Sequence, residues 1–269
     1  DARYARHNDK EWIGFRTHFT ESCDPEAPIH LITQVETVSA PTQDIEVCAT
    51  IYADLESQNL KPQTHFVDAA YVSANLLANA AKADGIELVG PVTKLQDVSW
   101  QAREQTGYEL ARFTIDWDNK LVTCPQGQSS HRWNENATDS TGNTVIHVAF
   151  APALCEACPA RTACTRSKQS GRTMQFRPRE QYEALQQARA TQDDEAFKRR
   201  YRTRLGIEGT ISQAVRAFEL RKTRYLGLPK THLQAIALAT AINLSRFWDY
   251  LCGAGLGQTR NQPFAALAS

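Results

Sequence analysis

Between residues 92 and 176 the chain loses the apolar periodicity that organises it on either side, so it reads as a core interrupted by an insertion. Ahead of the break, residues 12–20 are rich in aromatic and β-branched types and read as a strand. Turn chemistry at Cys23–Pro28 leads to a second, antiparallel strand over 30–38. Residues 43–58 repeat apolar side chains at helical spacing through Ile45, Cys48, Ile51, Tyr52 and Leu55. A short apolar run over 65–71 ends in the carboxylate of Asp68. Ser73 is placed to cap a helix over 74–83, and 86–90 form a further strand.

Inside the break only short strand-like pieces are visible, near 113–117, 121–124 and 145–150, with a hairpin turn at Asp118-Asn119. The polar residues 129–143 are expected to be a mobile loop. Beyond the break, helices are predicted over 178–205, 208–218 and 230–251, and a Gly- and Ala-rich tail from 253 is expected to fray. The predicted organisation is therefore 1–91 as the first part of a core, 92–176 as an insertion with little apolar material of its own, 177–252 as the helical remainder and 253–269 as tail.

An apolar fraction of 42% suffices for a core. No apolar run is long enough for a membrane span, and the charged opening Asp1–Arg6 has no signal-peptide character. A cytoplasmic protein is expected, and the lack of an initial Met suggests a fragment. Net charge is zero, but residues 198–230 carry ten basic residues against two acidic ones. Such a stripe can engage a phosphate backbone, or it can be a solvated helix face. The seven cysteines are an odd number, and four of them, Cys124, Cys155, Cys158 and Cys164, fall within 41 residues. This pattern suits a cytoplasmic metal cluster better than a secreted disulfide framework.

Four thiolates suit a tetrahedral structural zinc site, with His131 and His147 as substitutes should Cys124 point away. A zinc ion would stabilise an insertion short of apolar core. The other reading is a set of reduced, buried cysteines. Cys23, Cys48 and Cys252 read as ordinary core thiols.

Carboxylates carry the second line of chemistry. Two-metal phosphoryl transfer needs several of them converging on divalent cations about 3.5–4 Å apart, and Mg²⁺ takes oxygen ligands. Asp68, ending a strand, is one candidate, and Glu208 is the other. Tyr201, Arg204 and Glu208 are spaced i, i+3, i+7, which places them on one face of a continuous helix. Gly206 and Gly209 weaken that helix by about 1 kcal/mol each. The plainer readings are a helix-capping Asp68 and an exposed helical Glu208. Asp116 and Asp118 are accounted for by a strand face and a turn.

With these residues in place, the chain resembles insertion-sequence transposases of the DDE superfamily. Val67-Asp68-Ala69-Ala70-Tyr71 is similar to the strand motif around the second catalytic Asp, with Ala70 at the usual glycine. Tyr201-x2-Arg204-x3-Glu208 is similar to the signature around the catalytic Glu. The lysine closing that signature falls at Val215, beside Arg216. Gly14-Phe15-Arg16-Thr17-His18 is similar to the strand that follows the first catalytic strand. The resemblance implies an α/β, ribonuclease-H-like mixed sheet flanked by helices, entered here at its second strand and carrying a small β-rich, Cys-containing insertion.

It also implies Mg²⁺ or Mn²⁺ on Asp68 and Glu208, and contacts of Tyr201, Arg204 and Arg216 with double-stranded DNA. The implied reaction is phosphodiester hydrolysis and strand transfer at insertion-sequence ends, by a homodimer. The first catalytic Asp has no clear counterpart, Asp1 and Asp9 being the nearest acids, so the chain alone is expected to be inactive. The competing readings are an inactive DNA-binding or interaction module from a degraded mobile element, and a zinc-ribbon protein with an unrelated α/β domain.

Overall fold

The structure, a computed structural model, describes residues 2–7, 10–93 and 99–253. Asp1, Asp9 and the tail from 254 lie outside the described residues. The chain forms a mixed α/β arrangement with several small sheets, divided into two compact units: Asp1–Tyr71 with Lys198–Ser269, and Val72–Phe197. Residues 72–91 and 177–197 thus fall in the same unit as the expected insertion.

In the first unit, β1 (Arg3–His7), β2 (Lys10–Glu21) and β3 (Ile32–Ser39) form an antiparallel sheet in that order. β1 lies ahead of the first strand that the sequence predicts and pairs Arg3 with Gly14 through His7 with Lys10. β2 pairs β3 from Phe15–Ser39 to Glu21–Ile32, with a register shift between Thr20 and Glu21. A 3₁₀ turn, Asp44–Val47, leads into α1 (Cys48–Ser57). The buried side chains of α1 are Cys48, Ile51, Tyr52 and Leu55, the helical spacing visible in the sequence, and they pack on β3. β4 covers Thr64–Phe66.

The second unit opens with α2 (Ala74–Asn79), capped as predicted by Ser73, whose Oγ accepts a hydrogen bond from the Leu76 N–H at 3.1 Å. β5 (Glu87–Val89) and α3 (Trp100–Arg103) follow. β6 (Thr114–Asp116) and β7 (Leu121–Thr123) form the expected hairpin, in which Asp116 accepts hydrogen bonds from Asn119. β8 (Arg132–Thr138), β9 (Thr144–Ala149) and β10 (Thr173–Phe176) form a sheet with β9 central. α4 (Pro152–Glu156) and α5 (Arg161–Cys164) lie between β9 and β10, and α6 (Arg179–Thr191) packs on α2.

Two expectations are corrected here. Residues 132–138 are a strand rather than a mobile loop. Their composition is poor for a strand, but pairing with β9 and the packing of Trp133 edge-on to Trp117 and Phe176 override propensity. The insertion also has its own core: Phe113, Val122, Ile146, Val148, Phe150, Cys164, Met174 and Phe176 are buried together. Its apolar residues are few, but antiparallel pairing brings those of distant short strands onto one face.

Gly171 holds this core tightly closed. A Cβ there would lie 2.1 Å from the Phe150 carbonyl oxygen and 2.9 Å from its carbon. The backbone cannot yield freely, because the Phe150 N–H donates to the Arg172 carbonyl at 2.9 Å. Gly171→Ala is expected to destabilise the second unit by about 3 kcal/mol, lowering its Tm by roughly 10 °C. Calorimetry checks this, and an unchanged transition refutes it.

The chain returns to the first unit along α7 (Glu195–Tyr201), a 3₁₀ turn (Arg202–Arg204), α8 (Leu205–Phe218) and α9 (Leu228–Leu251). The single helix predicted over 178–205 is two, parted at residues 192–194, and α8 begins at Leu205 rather than Glu208. α9 packs on β3 and β2 with Ala235, Ala239 and Ile242 buried, the two small alanines allowing close approach. Ile32, Ala214, Ala239 and Ile242 form one buried cluster, to which each isoleucine contributes about 1.5–3 kcal/mol. Asn243 fixes the register of the contact. Its amide oxygen accepts from the Ile32 N–H at 2.9 Å, and its amide nitrogen donates to the Ile32 carbonyl at 2.8 Å.

Candidate active site

The β4 strand ends at Phe66, and Asp68 stands two residues beyond it, half-exposed, rather than at the buried end of the strand. Its Oδ1 accepts from the Ala70 N–H at 2.9 Å, and its carbonyl accepts from the Tyr71 N–H at 3.2 Å. The carboxylate thereby stabilises the turn that presents it.

The return from α7 to α8 runs along this segment. Arg200 donates to Thr64 Oγ1 at 3.0 Å, with its guanidinium over the Phe66 ring. The Tyr201 hydroxyl donates to the Val67 carbonyl at 3.0 Å. Arg204, only 19% exposed, makes ion pairs with both candidate carboxylates: Nη2 to Asp68 Oδ2 at 3.6 Å and Nη1 to Glu208 Oε1 at 2.9 Å. The Tyr201 ring lies under the same guanidinium, 5.9 Å from it. Burial raises the pKa of the Tyr201 phenol, Asp68 and Glu208 add to the effect, and Arg204 opposes it.

Four of the predicted residues, Asp68, Tyr201, Arg204 and Glu208, therefore meet around one guanidinium. The i, i+4 pairing of Arg204 with Glu208 survives the 3₁₀ turn because Arg204, the last residue of that turn, is the N-cap of α8 and Glu208 lies in the first turn of the helix. Arg216 stays apart: eight residues beyond Glu208, it is about 12 Å along the helix and about 80° round it.

His18 and Tyr71 are neighbours of this site whose contact sequence spacing could not disclose. His18 is buried, and its Nδ1 shares a hydrogen bond with the Tyr71 hydroxyl. Burial lowers the pKa of His18 and raises that of Tyr71, with Asp44 and Asp68 also acting on both. Asp44 is itself paired with Arg16 at 2.8 Å. The only signal in the sequence is that His18 and Tyr71 each close a motif, one on β2 and one after Asp68.

The family described as "Transposase DDE domain" matches residues 123–248. Over this segment the chain is similar to that family. The match spans just under half of the 269 residues. It takes in Tyr201, Arg204, Glu208 and Arg216 together with the four clustered cysteines, and it leaves Asp68 outside. No curated protein and no solved structure matches the chain. Among the described residues, no helix is long and apolar enough to cross a membrane.

Transposases of this kind act with divalent metals. Asp68 and Glu208 fit one Mg²⁺ or Mn²⁺ in donor type: they are half-exposed oxygen anions that leave room for water and substrate phosphate in the coordination shell. Among the described residues, however, no group of three or more His, Cys, Asp or Glu side chains is arranged to hold a metal ion. The zinc expectation gains no support for the same reason. Cys124, Cys155, Cys158 and Cys164 do line one cavity, with Arg161 and Arg172. Yet Cys155 accepts from the Arg172 N–H at 3.4 Å, and Cys164 is a thiol that burial, with the other three cysteines, pushes up to about 11. All seven cysteines are unbridged. Of the three expected in the core outside the cluster, Cys48 is buried, Cys23 is half-buried and Cys252 is exposed.

Proposed function

We propose that the chain is a DDE transposase that cuts phosphodiester bonds at insertion-sequence ends with Asp68 and Glu208 as its carboxylates. β1 to β3 would then be the antiparallel part of a ribonuclease-H-like core. The observation that carries the reading is the shared guanidinium of Arg204, which brings together two carboxylates far apart in the sequence. A bound divalent cation supplies positive charge at the attacking and leaving oxygens. The chain's own residues hold and orient. Asp68 and Glu208 provide the oxygen donors, and Arg204 exchanges a carboxylate for a DNA phosphate, which its planar fork suits equally well. Tyr201 fixes the Asp68 segment through the Val67 carbonyl. Strand transfer by the freed 3′-hydroxyl, within a homodimer, belongs to the same proposal.

One observation favours the second reading, an inactive DNA-binding module: among the described residues, no third carboxylate joins Asp68 and Glu208. Nicking of plasmid DNA in Mg²⁺ by the complete encoded protein separates the two. Asp68→Ala and Glu208→Ala are each expected to slow nicking by about three orders of magnitude, the equivalent of roughly 4 kcal/mol. Nicking at the normal rate by either variant removes that residue from the site. Duplex binding without nicking by the unaltered protein favours the inactive module.

A further inference from the structure

The loop between α8 and α9 is held in one shape and presents cations and bare apolar side chains together. Glu219 ends α8 in the left-handed region at φ 53°, uncommon for a residue with a side chain. Its carboxylate binds Lys222 at 3.0 Å and Arg224 at 3.2 Å, while both cations remain exposed. The Gln234 amide closes the loop from α9, accepting from the Arg224 N–H at 2.9 Å and donating to the Lys222 carbonyl at 2.8 Å. Thr223 and Thr231 share a hydrogen bond at 3.0 Å. Among residues 216–230 five cations, Arg216, Arg221, Lys222, Arg224 and Lys230, face one carboxylate.

A merely solvated loop would carry polar residues between its charges. Here Tyr225 is 52% exposed and Leu226 is 91% exposed. Behind them lies a groove of about 930 Å³, bordered by Phe218, Arg224, Tyr225, Lys230 and Leu233. Cations on a fixed backbone meet regularly spaced anions at low entropic cost. Two apolar side chains among them suit a polyanion that alternates phosphate with apolar sugar faces.

We propose that this loop is a docking surface for the backbone of duplex DNA. Arg221, Lys222, Arg224 and Lys230 meet phosphates, and Tyr225 and Leu226 lie against the sugars between them. The proposal rests on the DNA-cutting reading for its partner but not on the catalytic carboxylates, so the two fail separately.

The test is fluorescence anisotropy with a labelled 30-base-pair duplex, measured against salt concentration. Arg221→Ala and Lys230→Ala touch no partner among the described residues, so their melting temperatures should not change. Each should reduce the slope of log K against log salt by about 0.9, the value of one phosphate contact. Tyr225→Ala with Leu226→Ala should weaken binding about tenfold and leave the slope unchanged. The slope is read without Mg²⁺ and without cutting, so a failure of Asp68→Ala or Glu208→Ala to slow nicking does not bear on it. An unchanged slope in Arg221→Ala/Lys230→Ala overturns the proposal. So does tighter binding of the chain to phosphatidylserine vesicles than to DNA, if that binding is lost in the same variants.

Discussion

Arg204→Ala is expected to slow DNA nicking by at least about two orders of magnitude, and Arg204→Lys is expected to restore little of it. In the structure one guanidinium satisfies Asp68 and Glu208 at once. Without it, two carboxylates face each other uncompensated. They then swing apart or raise each other's proton affinity, and either response disturbs the donor geometry. Displacements of about 1 Å at a reacting centre cost about 10²-fold. A lysine ammonium is a point charge on a flexible stem and does not span two carboxylates as a planar fork does. Single-turnover nicking at saturating DNA isolates this effect from binding. A rate for Arg204→Ala within threefold of the unaltered protein rejects a role for the bridge. The ion pairs are open to solvent on the carboxylate side, so the melting temperature should move little.

Arg246→Ala is expected to destabilise the first unit by about 3–5 kcal/mol, through a different network. The Arg246 guanidinium donates to Glu21 at 2.9 Å and to the His30 carbonyl at 2.8 Å, and also to the Thr210 hydroxyl, which in turn donates to Glu21. The two charged side chains are only 17% and 7% exposed. This closed ring joins the end of β2, the middle of α8 and the C-terminal half of α9. Removing the arginine leaves Glu21 as a buried charge with only a hydroxyl for company. Arg246→Met combined with Glu21→Leu removes both charges, and much of the lost stability should return. Denaturant titration of the three proteins checks the pattern. A single variant as stable as the unaltered chain, or a double variant less stable than Arg246→Ala, contradicts it.

Local chemistry made much of the first unit legible in advance. The aromatic and β-branched run over 12–20 and the helical spacing of Cys48, Ile51, Tyr52 and Leu55 act within one strand or one helix. The spacing of Tyr201, Arg204 and Glu208 singled out three residues that do meet, although a 3₁₀ turn interrupts the continuous helix that the spacing implies. The second unit was harder. Its strand at 132–138 exists through pairing with β9 and the packing of Trp133 on other aromatic side chains, so a seven-residue window in which only Trp133 and Ala137 are apolar holds little trace of it.

By itself, then, the sequence determined the amphipathic helices, the caps and turns, and which acidic and basic residues were candidates for phosphoryl chemistry. Tertiary structure alone decided that Asp68 comes to Arg204, that His18 meets Tyr71, that Arg246 seals Glu21, and that Cys164 is buried in an apolar core against which Cys124 and Cys155 pack. The physical reason is range. Propensity and periodicity act over a few residues, whereas these contacts join residues tens to hundreds apart, and only packing of the assembled elements selects one partner among many of the same chemistry.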